Sequence, residues 1–166
     1  MTIYGTAAGF TTYHTARGTD VSAFDDDAVI ESALLVSTEY IDAKYRSSFP
    51  GLKIYDRDQI REWPRYDAVD MYDQIIPSGT IPIEVEQATY QAALKQLLTP
   101  GSLSVDWTPN KYKSASVDGA VSVQYMQYDT AADIQTRFRL IEEILAPLLG
   151  GKNSTSSSHS GFSVRV

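Results

Sequence analysis

Few residues of this chain have the types and spacing that catalysis or metal binding requires. The 166 residues include no cysteine and only two histidines, His14 and His159, which lie far apart in the sequence. Disulfides and thiolate metal sites are therefore excluded, and a zinc or di-iron site would depend on carboxylates almost alone. We expect no metal, no cofactor and no enzymatic activity.

Two short motifs resemble ligand sites but fail in detail. Gly150–Ser154 (GGKNS) partly matches a phosphate-binding loop, but Ala146 stands where that motif requires glycine and Asn153 where it requires Ser or Thr. Asp25–Asp27 lack the spacing and turn glycine of a calcium loop, and they favour the start of a helix. His14 is predicted to pack or to form a hydrogen bond rather than to catalyse.

Aromatic and basic residues alternate at 40–46 (YIDAKYR) and 57–65 (RDQIREWPR). Tyrosine rings beside Lys or Arg could stack on single-stranded DNA. Here acidic residues are interleaved, and Lys44 and Arg46 also suit the negative end of a helix dipole. We interpret these stretches as a structural corner between two helices, and single-stranded DNA binding stays as the alternative.

The charge is unevenly distributed along the chain. The net charge is −7, and residues 152–166 carry Lys152 and Arg165 without an acid. Because that segment contributes +2, residues 1–151 carry −9. An acidic body disfavours binding to DNA phosphates, which needs clustered Lys and Arg. It suits a wall that DNA slides past, or simply a protein that stays in solution.

The apolar spacing predicts three helices joined by loops. Residues 1–24 should be extended, with a short helical turn near 11–17, and a helix of about 18 residues should follow Asp25–Asp27 and end before Pro50. A helical turn at 57–62 and a loop at 66–81 lead to a second helix, capped by Thr80 and ended by Pro100. The third should start at Thr130 and stop at Gly150, with Pro147 bending or ending it. The predicted buried stripes are Ile30, Leu34, Thr38, Ile41 and Tyr45 in the first helix; Val85, Ala88, Thr89, Ala92 and Leu97 in the second; and Ile134, Phe138, Ile141, Leu145 and Leu148 in the third.

A change of period at 111–128 predicts a β-hairpin. Asp118-Gly119 is a strong signal for a two-residue turn, and the flanking residues alternate between apolar and polar. A lone hairpin is marginally stable in water, so it should pack on the helices or pair with another subunit. The residues of this predicted inter-subunit hairpin are Val117, Asp118, Gly119, Val121, Val123 and Tyr125.

The predicted fold class is therefore mainly α: a small helical bundle with a projecting β-hairpin and an extended C-terminal tail. Residues 1–151 should form the domain and residues 152–166 an arm whose tip inserts into a partner protein, with docking on its own domain as the alternative. No apolar run is long enough to span a bilayer and the N-terminus is unlike a signal peptide, so we expect a soluble protein.

The chain also resembles a family of tailed-bacteriophage neck proteins, the head–tail adaptors or connectors, many of which are labelled DnaT-like ssDNA-binding proteins. The resemblance runs from about Tyr4 to Gly150 and rests on the order and spacing of five stretches. These are Tyr13–Gly18 (YHTARG), Tyr40–Arg46, Arg57–Arg65, Ile76–Leu94 and Ile141–Gly150 (IEEILAPLLG).

The resemblance implies a helical protein that is made in the host cytoplasm and forms a ring of twelve copies beneath the portal in the virion neck. Its other face would bind the next neck or tail component, such as a stopper or tail terminator, and genomic double-stranded DNA would pass through the ring without specific binding. The arm would bind the portal protein. Alternatives are a single-stranded DNA-binding replication accessory protein and a neighbouring stopper or tail-completion protein. The predicted portal-binding residues are Lys152, His159, Phe162, Val164, Arg165 and Val166.

Overall fold

The computed structural model describes residues 2–104, 114–117, 121–124 and 138–149, and in the two middle ranges it describes the backbone. Four helices and two small antiparallel sheets lie in these ranges, so the predicted mainly α class with one hairpin is confirmed. The helices are α1 (Ala7–Thr15), α2 (Asp27–Tyr45), α3 (Ile83–Leu98) and α4 (Arg139–Leu149); the strands are β1 (Leu52–Lys53), β2 (Arg65–Tyr66), β3 (Ser114–Val117) and β4 (Val121–Gln124).

The long helix α2 follows the sequence prediction closely. Asp26 caps it, because its carboxylate accepts a hydrogen bond from the Ala28 amide at 2.9 Å. All five residues of the predicted stripe are buried. The helix ends at Tyr45, so the turn before Pro50 is already outside it.

Helix α1 corrects the prediction for the N-terminal region. Residues 7–15 form more than two helical turns, where the sequence suggested an extended chain with one turn near 11–17. The Thr6 side chain caps this helix by accepting a hydrogen bond from the Gly9 amide at 3.0 Å. Gly9 also lets the helix approach the Tyr90 ring, since a Cβ at this position would overlap the Tyr90 hydroxyl.

Helix α3 confirms the predicted stripe of small residues but not its predicted cap. Pro82 occupies the cap position, and the Thr80 hydroxyl instead donates to the Pro77 carbonyl at 2.7 Å. The stripe of Val85, Ala88, Thr89 and Ala92 is buried, and these small side chains let α3 pack closely against α2 and α4. Leu97 is only partly buried.

The α2–α3 connection, residues 46–82, contains more structure than the sequence predicted. β1 pairs with β2, and Asp56–Asp58 form a 3₁₀ turn where a turn at 57–62 was predicted. In the predicted loop, Val69 and Ile75 form an isolated bridge. Gly51 makes the sharp return possible: its φ is +70°, and its Cα faces the backbone of Tyr66 and Ala68.

The hairpin is confirmed, with a longer connection than predicted. Val117 pairs with Val121 and Ser114 with Gln124 in an antiparallel ladder. Three residues, 118–120, therefore separate the last paired residues, whereas the sequence predicted a two-residue turn. In the part of the chain that the structure describes, this ladder has two strands and joins no other sheet.

Helix α4 begins at Arg139 and runs to Leu149, with Pro147 inside it. The predicted start was Thr130, which lies outside the described residues together with Ile134 of the predicted stripe. Ile141, Leu145 and Leu148 are buried as predicted, and Phe138 packs against the same core. Pro147 does not end the helix.

Two clusters of buried side chains hold the helices together. One fills the space between α2, α3, α4 and the connection, around Trp63. The other packs α1 onto the first half of α2 and the opposite face of α3, around Phe10, Leu34 and Tyr90. None of the described helices combines the length and apolarity needed to cross a membrane.

Gly51 gives a test of the connection's geometry. Gly51→Ala adds a Cβ that overlaps the Tyr66 carbonyl oxygen and lies 2.8 Å from the Ala68 nitrogen, so backbone must move. Gly79 is the matched control, because its φ is +85° and nothing lies within 4 Å of the added Cβ. We expect Gly79→Ala to lower the free energy of unfolding by about 1–2 kcal/mol and Gly51→Ala by roughly 2 kcal/mol more. Urea unfolding measures both, and equal losses would contradict this packing.

Candidate functional site

The corner predicted from the sequence is built around a buried tyrosine. The Tyr4 hydroxyl donates a 2.6 Å hydrogen bond to the Asp42 carboxylate on α2 and accepts one from the Trp63 amide at 3.0 Å. The Tyr4 amide donates to the Thr38 hydroxyl at 3.1 Å. The N-terminal segment, α2 and the connection therefore meet at one side chain.

Burial controls the protonation of this pair. Burial, and after it the Asp42 carboxylate, raise the pKa of Tyr4, so its hydroxyl keeps its proton and stays a donor. Burial also raises the pKa of Asp42, while the hydrogen bond from Tyr4 opposes that rise. The Tyr4–Asp42 hydrogen bond therefore holds the N-terminal segment on α2. A general base would need an accessible lone pair, and both Asp42 and Tyr4 are enclosed.

Arg61 closes the corner from the connection side. Its Nε donates to the Thr2 carbonyl at 2.8 Å, and its terminal nitrogens lie 3.5 Å from the Glu39 carboxylate and 3.8 Å from that of Asp42. Its guanidinium is buried, and it is oriented by a backbone carbonyl and two acids of α2. It is therefore not presented to a ligand.

A second internal ion network follows directly along the connection. Glu62 accepts from Arg65 at 3.1 Å and lies 3.2 Å from the Lys53 ammonium, while Arg65 also donates to the Gly51 carbonyl at 2.9 Å. Burial lowers the pKa of Arg65, and the neighbouring Glu62 opposes that change. Like Arg61, both cations hold the fold of the connection.

The remaining basic side chains of the corner are engaged in the same way. The Lys44 ammonium donates to the Tyr40 hydroxyl at 3.0 Å and lies 3.4 Å from Glu142 of α4. Arg46 reaches back to the Asp42 carbonyl at 3.4 Å, which fits its predicted position at the helix end. Of the basic residues at 40–46 and 57–65, Arg57 is exposed and has no such partner among the described residues.

His14 confirms the packing interpretation. It is buried between the rings of Phe10 and Tyr13, and its Nε2 lies 3.1 Å from the Tyr90 carbonyl. Since a carbonyl only accepts, Nε2 carries the proton. Nδ1 has no partner among the described residues. Burial lowers the pKa of His14, so the neutral form is favoured.

The described ranges hold no group of three or more acidic or histidine side chains that could bind a metal ion. Asp25–Asp27 are exposed, and Asp26 serves as the α2 cap. This agrees with their interpretation as a helix start.

The other notable feature is an exposed set of side chains that we call the connection surface. It comprises six apolar residues of the α2–α3 connection and four acidic residues between them. Ile60 and Ile75 are 88% and 81% exposed, and two tyrosines are 68% exposed. Six of the eleven exposed large apolar side chains of the described residues lie here. The residues are Leu52, Tyr55, Ile60, Met71, Tyr72 and Ile75, with Asp56, Asp58, Asp67 and Asp73.

Residues 3–166 match the model of the family described as "Putative DnaT-like ssDNA binding protein". The match covers nearly the whole chain. The chain belongs to this family. No curated protein and no solved structure matches it.

In this DnaT-like chain, the structure brings together the hairpin residues Val117, Val121 and Val123 in one ladder, with Val117 opposite Val121. The other predicted site residues lie outside the described ranges. They are Asp118, Gly119 and Tyr125 of the hairpin and Lys152, His159, Phe162, Val164, Arg165 and Val166 of the arm.

Sequence reasoning missed the connection surface of this DnaT-like protein. Its apolar residues follow no helical or strand period, so the sequence does not distinguish them from buried loop residues such as Trp63. The available signal was the interleaving of large apolar residues with aspartates between 52 and 75.

The Tyr4 hydroxyl is expected to contribute strongly to stability. Tyr4→Phe removes the donor to a buried carboxylate and leaves the Trp63 amide without its acceptor, so we expect a loss of about 2–4 kcal/mol in the free energy of unfolding. Tyr55→Phe is the control, since that tyrosine is largely exposed. Urea unfolding monitored by tryptophan fluorescence measures both, and a Tyr4→Phe loss as small as that of the control would disprove the role.

His14 should make stability depend on pH. Its folded pKa is lowered, so below about 6.5 the unfolded chain binds the proton more readily than the folded chain. The free energy of unfolding should therefore fall as the pH drops from about 6.5 towards the folded pKa, by up to roughly 1.4 kcal/mol per pH unit. Unfolding measured at several pH values should show this component in the wild type and in His159→Gln, and lose it in His14→Gln. An unchanged pH profile in His14→Gln would exclude the mechanism.

Proposed function

We propose that this member of the DnaT-like family is a structural head–tail adaptor of a tailed bacteriophage. Copies of the chain would form a ring of twelve beneath the portal, in the virion neck between head and tail. The ring would bind the portal on one face and the next neck component on the other, and it would extend the channel for genomic double-stranded DNA. The work is mechanical and needs no catalytic group.

The observation that carries the proposal is the internal use of the basic side chains. Lys44, Lys53, Arg61 and Arg65 all pair with acids or carbonyls of the same chain. Protein groups that bind single-stranded DNA combine accessible cations with aromatic faces. Here the cations hold the corner together and the exposed charges are mainly acidic, which suits a wall that DNA passes.

The exposed apolar groups support an assembly role independently. Monomeric proteins rarely gather large apolar side chains on one exposed segment unless a partner covers them. The connection surface is such a segment, and the β3–β4 ladder offers strand edges to which another chain could add. Both features suit a subunit that contacts several neighbours.

A second candidate function is single-stranded DNA binding in replication, and the family description is the observation that favours it. It would have to use cations that are not paired within the corner. Arg57, which is exposed beside Tyr55, is the best placed of them in the described ranges. A neck stopper or tail-completion protein, one position further from the head, shares the mechanical features of the adaptor.

The two functions differ in their expected affinity for oligonucleotides. We expect the purified chain to show no saturable binding to a labelled single-stranded oligonucleotide at micromolar concentration and roughly 50 mM salt, measured by fluorescence anisotropy. Micromolar binding that weakens with salt would overturn the adaptor proposal. If Arg57 were a phosphate contact, Arg57→Ser would also reduce the salt slope by about one, whereas Arg139→Ser would serve as a control because Arg139 already pairs with Glu143 on α4.

Images of particles decide between the neck positions. Electron microscopy of DNA-filled heads carrying the protein should show a twelvefold ring in direct contact with the portal. A ring separated from the portal by another component would instead indicate the stopper or tail-completion role.

A further inference from the structure

We propose that the connection surface is a docking site for the C-terminal arm, residues 152–166, of the same molecule. The surface would cover the apolar tip of the arm in the free subunit.

The connection surface has the composition of a binding site for an apolar peptide. Ile60 and Ile75 are almost fully exposed, and Leu52, Tyr55, Met71 and Tyr72 of the same connection are exposed as well. The segment is held in place by the buried corner, by the β1–β2 pair and by the Val69–Ile75 bridge. Because the connection is already held in one conformation, binding a peptide to it costs little conformational entropy of the connection itself.

The charges of the surface and the arm are complementary. Between residues 52 and 75, Asp56, Asp58, Asp67 and Asp73 are exposed, against one exposed base, Arg57. The arm carries Lys152 and Arg165 and no acidic residue. Attraction between an acidic surface and a basic peptide favours this pairing over an acidic partner.

The apolar pattern of the arm fits the same site. Phe162, Val164 and Val166 alternate with Ser163 and Arg165. In an extended segment, alternate residues share one face, so these three would present an apolar edge and leave Arg165 on the other side. Peptides of this pattern bind through alternate side chains in pockets.

The end of α4 lies against this surface. The Met71 amide donates to the Pro147 carbonyl at 2.8 Å, and α4 ends two residues later at Leu149. The turn that carries Met71 is fixed by Asp70, whose carboxylate accepts from the amides of Tyr72 and Gln74 at 2.8 and 2.9 Å. The last described residue of α4 is therefore only two positions beyond a contact with the proposed site.

This starting point favours docking within one molecule. Fifteen extended residues span up to about 50 Å, which is enough to reach every part of the connection. A short tether raises the effective concentration of the arm at the site to the millimolar range, so even a weak peptide contact is populated. In the proposed assembly, the portal would compete for the same arm.

The test uses the full-length chain with the photo-crosslinking residue benzoylphenylalanine in place of Phe162. After irradiation, mass spectrometry should place the crosslinks within residues 52–75. In an equal mixture of ordinary and heavy-isotope protein, the two linked peptides should carry the same label. Mixed labels would show exchange between molecules and overturn docking within one chain. Crosslinks outside 52–75, or none, would overturn the site.

Matched substitutions locate the contact. Ile60→Ser with Ile75→Ser should lower the crosslink yield about tenfold, because two apolar contacts are lost and the charge of the surface stays the same. Ile83→Ser, at an exposed isoleucine at the start of α3, should leave the yield unchanged. Since Ile60 and Ile75 pack on nothing in the core, thermal unfolding should be the same in all variants. An unchanged yield in the double variant would overturn the proposed site.

Discussion

The hydrogen bond between the Tyr4 hydroxyl and the Asp42 carboxylate is the interaction on which the rest of the structure depends. It is short and buried, and its acceptor is a carboxylate that burial would otherwise penalise. The same hydroxyl accepts the Trp63 amide, so the N-terminal segment, α2 and the connection are fixed together. Trp63 then fills the centre of the main core between α2, α3 and α4. Each of these contacts requires the others, because removing any one would leave a buried polar group without a partner.

This constraint explains why most basic side chains of the corner pair within the chain. The buried carboxylates of Asp42 and Glu62, which help to join the segments, need opposite charges nearby. Arg61 supplies one for Asp42, and Arg65 and Lys53 supply them for Glu62. A cation that neutralises an internal carboxylate has little potential left for a phosphate. Among the described residues, the acidic side chains that give the chain its net charge of −7 therefore lie mainly on the exposed surface. Structure and electrostatics are therefore coupled: the corner that orders the fold also makes its exterior acidic.

Much of the helical framework could be predicted from the sequence, because periodic burial leaves a periodic pattern. The stripes of α2 and α3 and the Ile141–Leu148 part of α4 follow from it. Helix α1 was not predicted in this way, since its buried face of Ala7, Phe10, Tyr13 and His14 is short and contains a small residue and a histidine. Its position depends on Tyr90, 76 residues after His14, so the deciding contacts are long-range. The β1–β2 pair was missed for a similar reason: two residues per strand show no period, and Gly51 makes their return possible.

The candidate surfaces illustrate a different limit of sequence reasoning. Leu52, Ile60 and Ile75 have the same residue types as core positions, and only the fold shows that they face solvent. Conversely, Arg61 and Arg65 have the residue types of a binding site, and the fold shows that they are buried. In this part of the chain, two arginines are buried and several large apolar side chains are exposed, which is the reverse of the usual distribution. Such an inversion costs free energy in an isolated molecule. That cost is offset where a partner or another segment of the chain covers the apolar groups. Met71, one of the exposed apolar residues, contacts the last turn of α4, so the chain beyond α4 is the nearest candidate for such a segment.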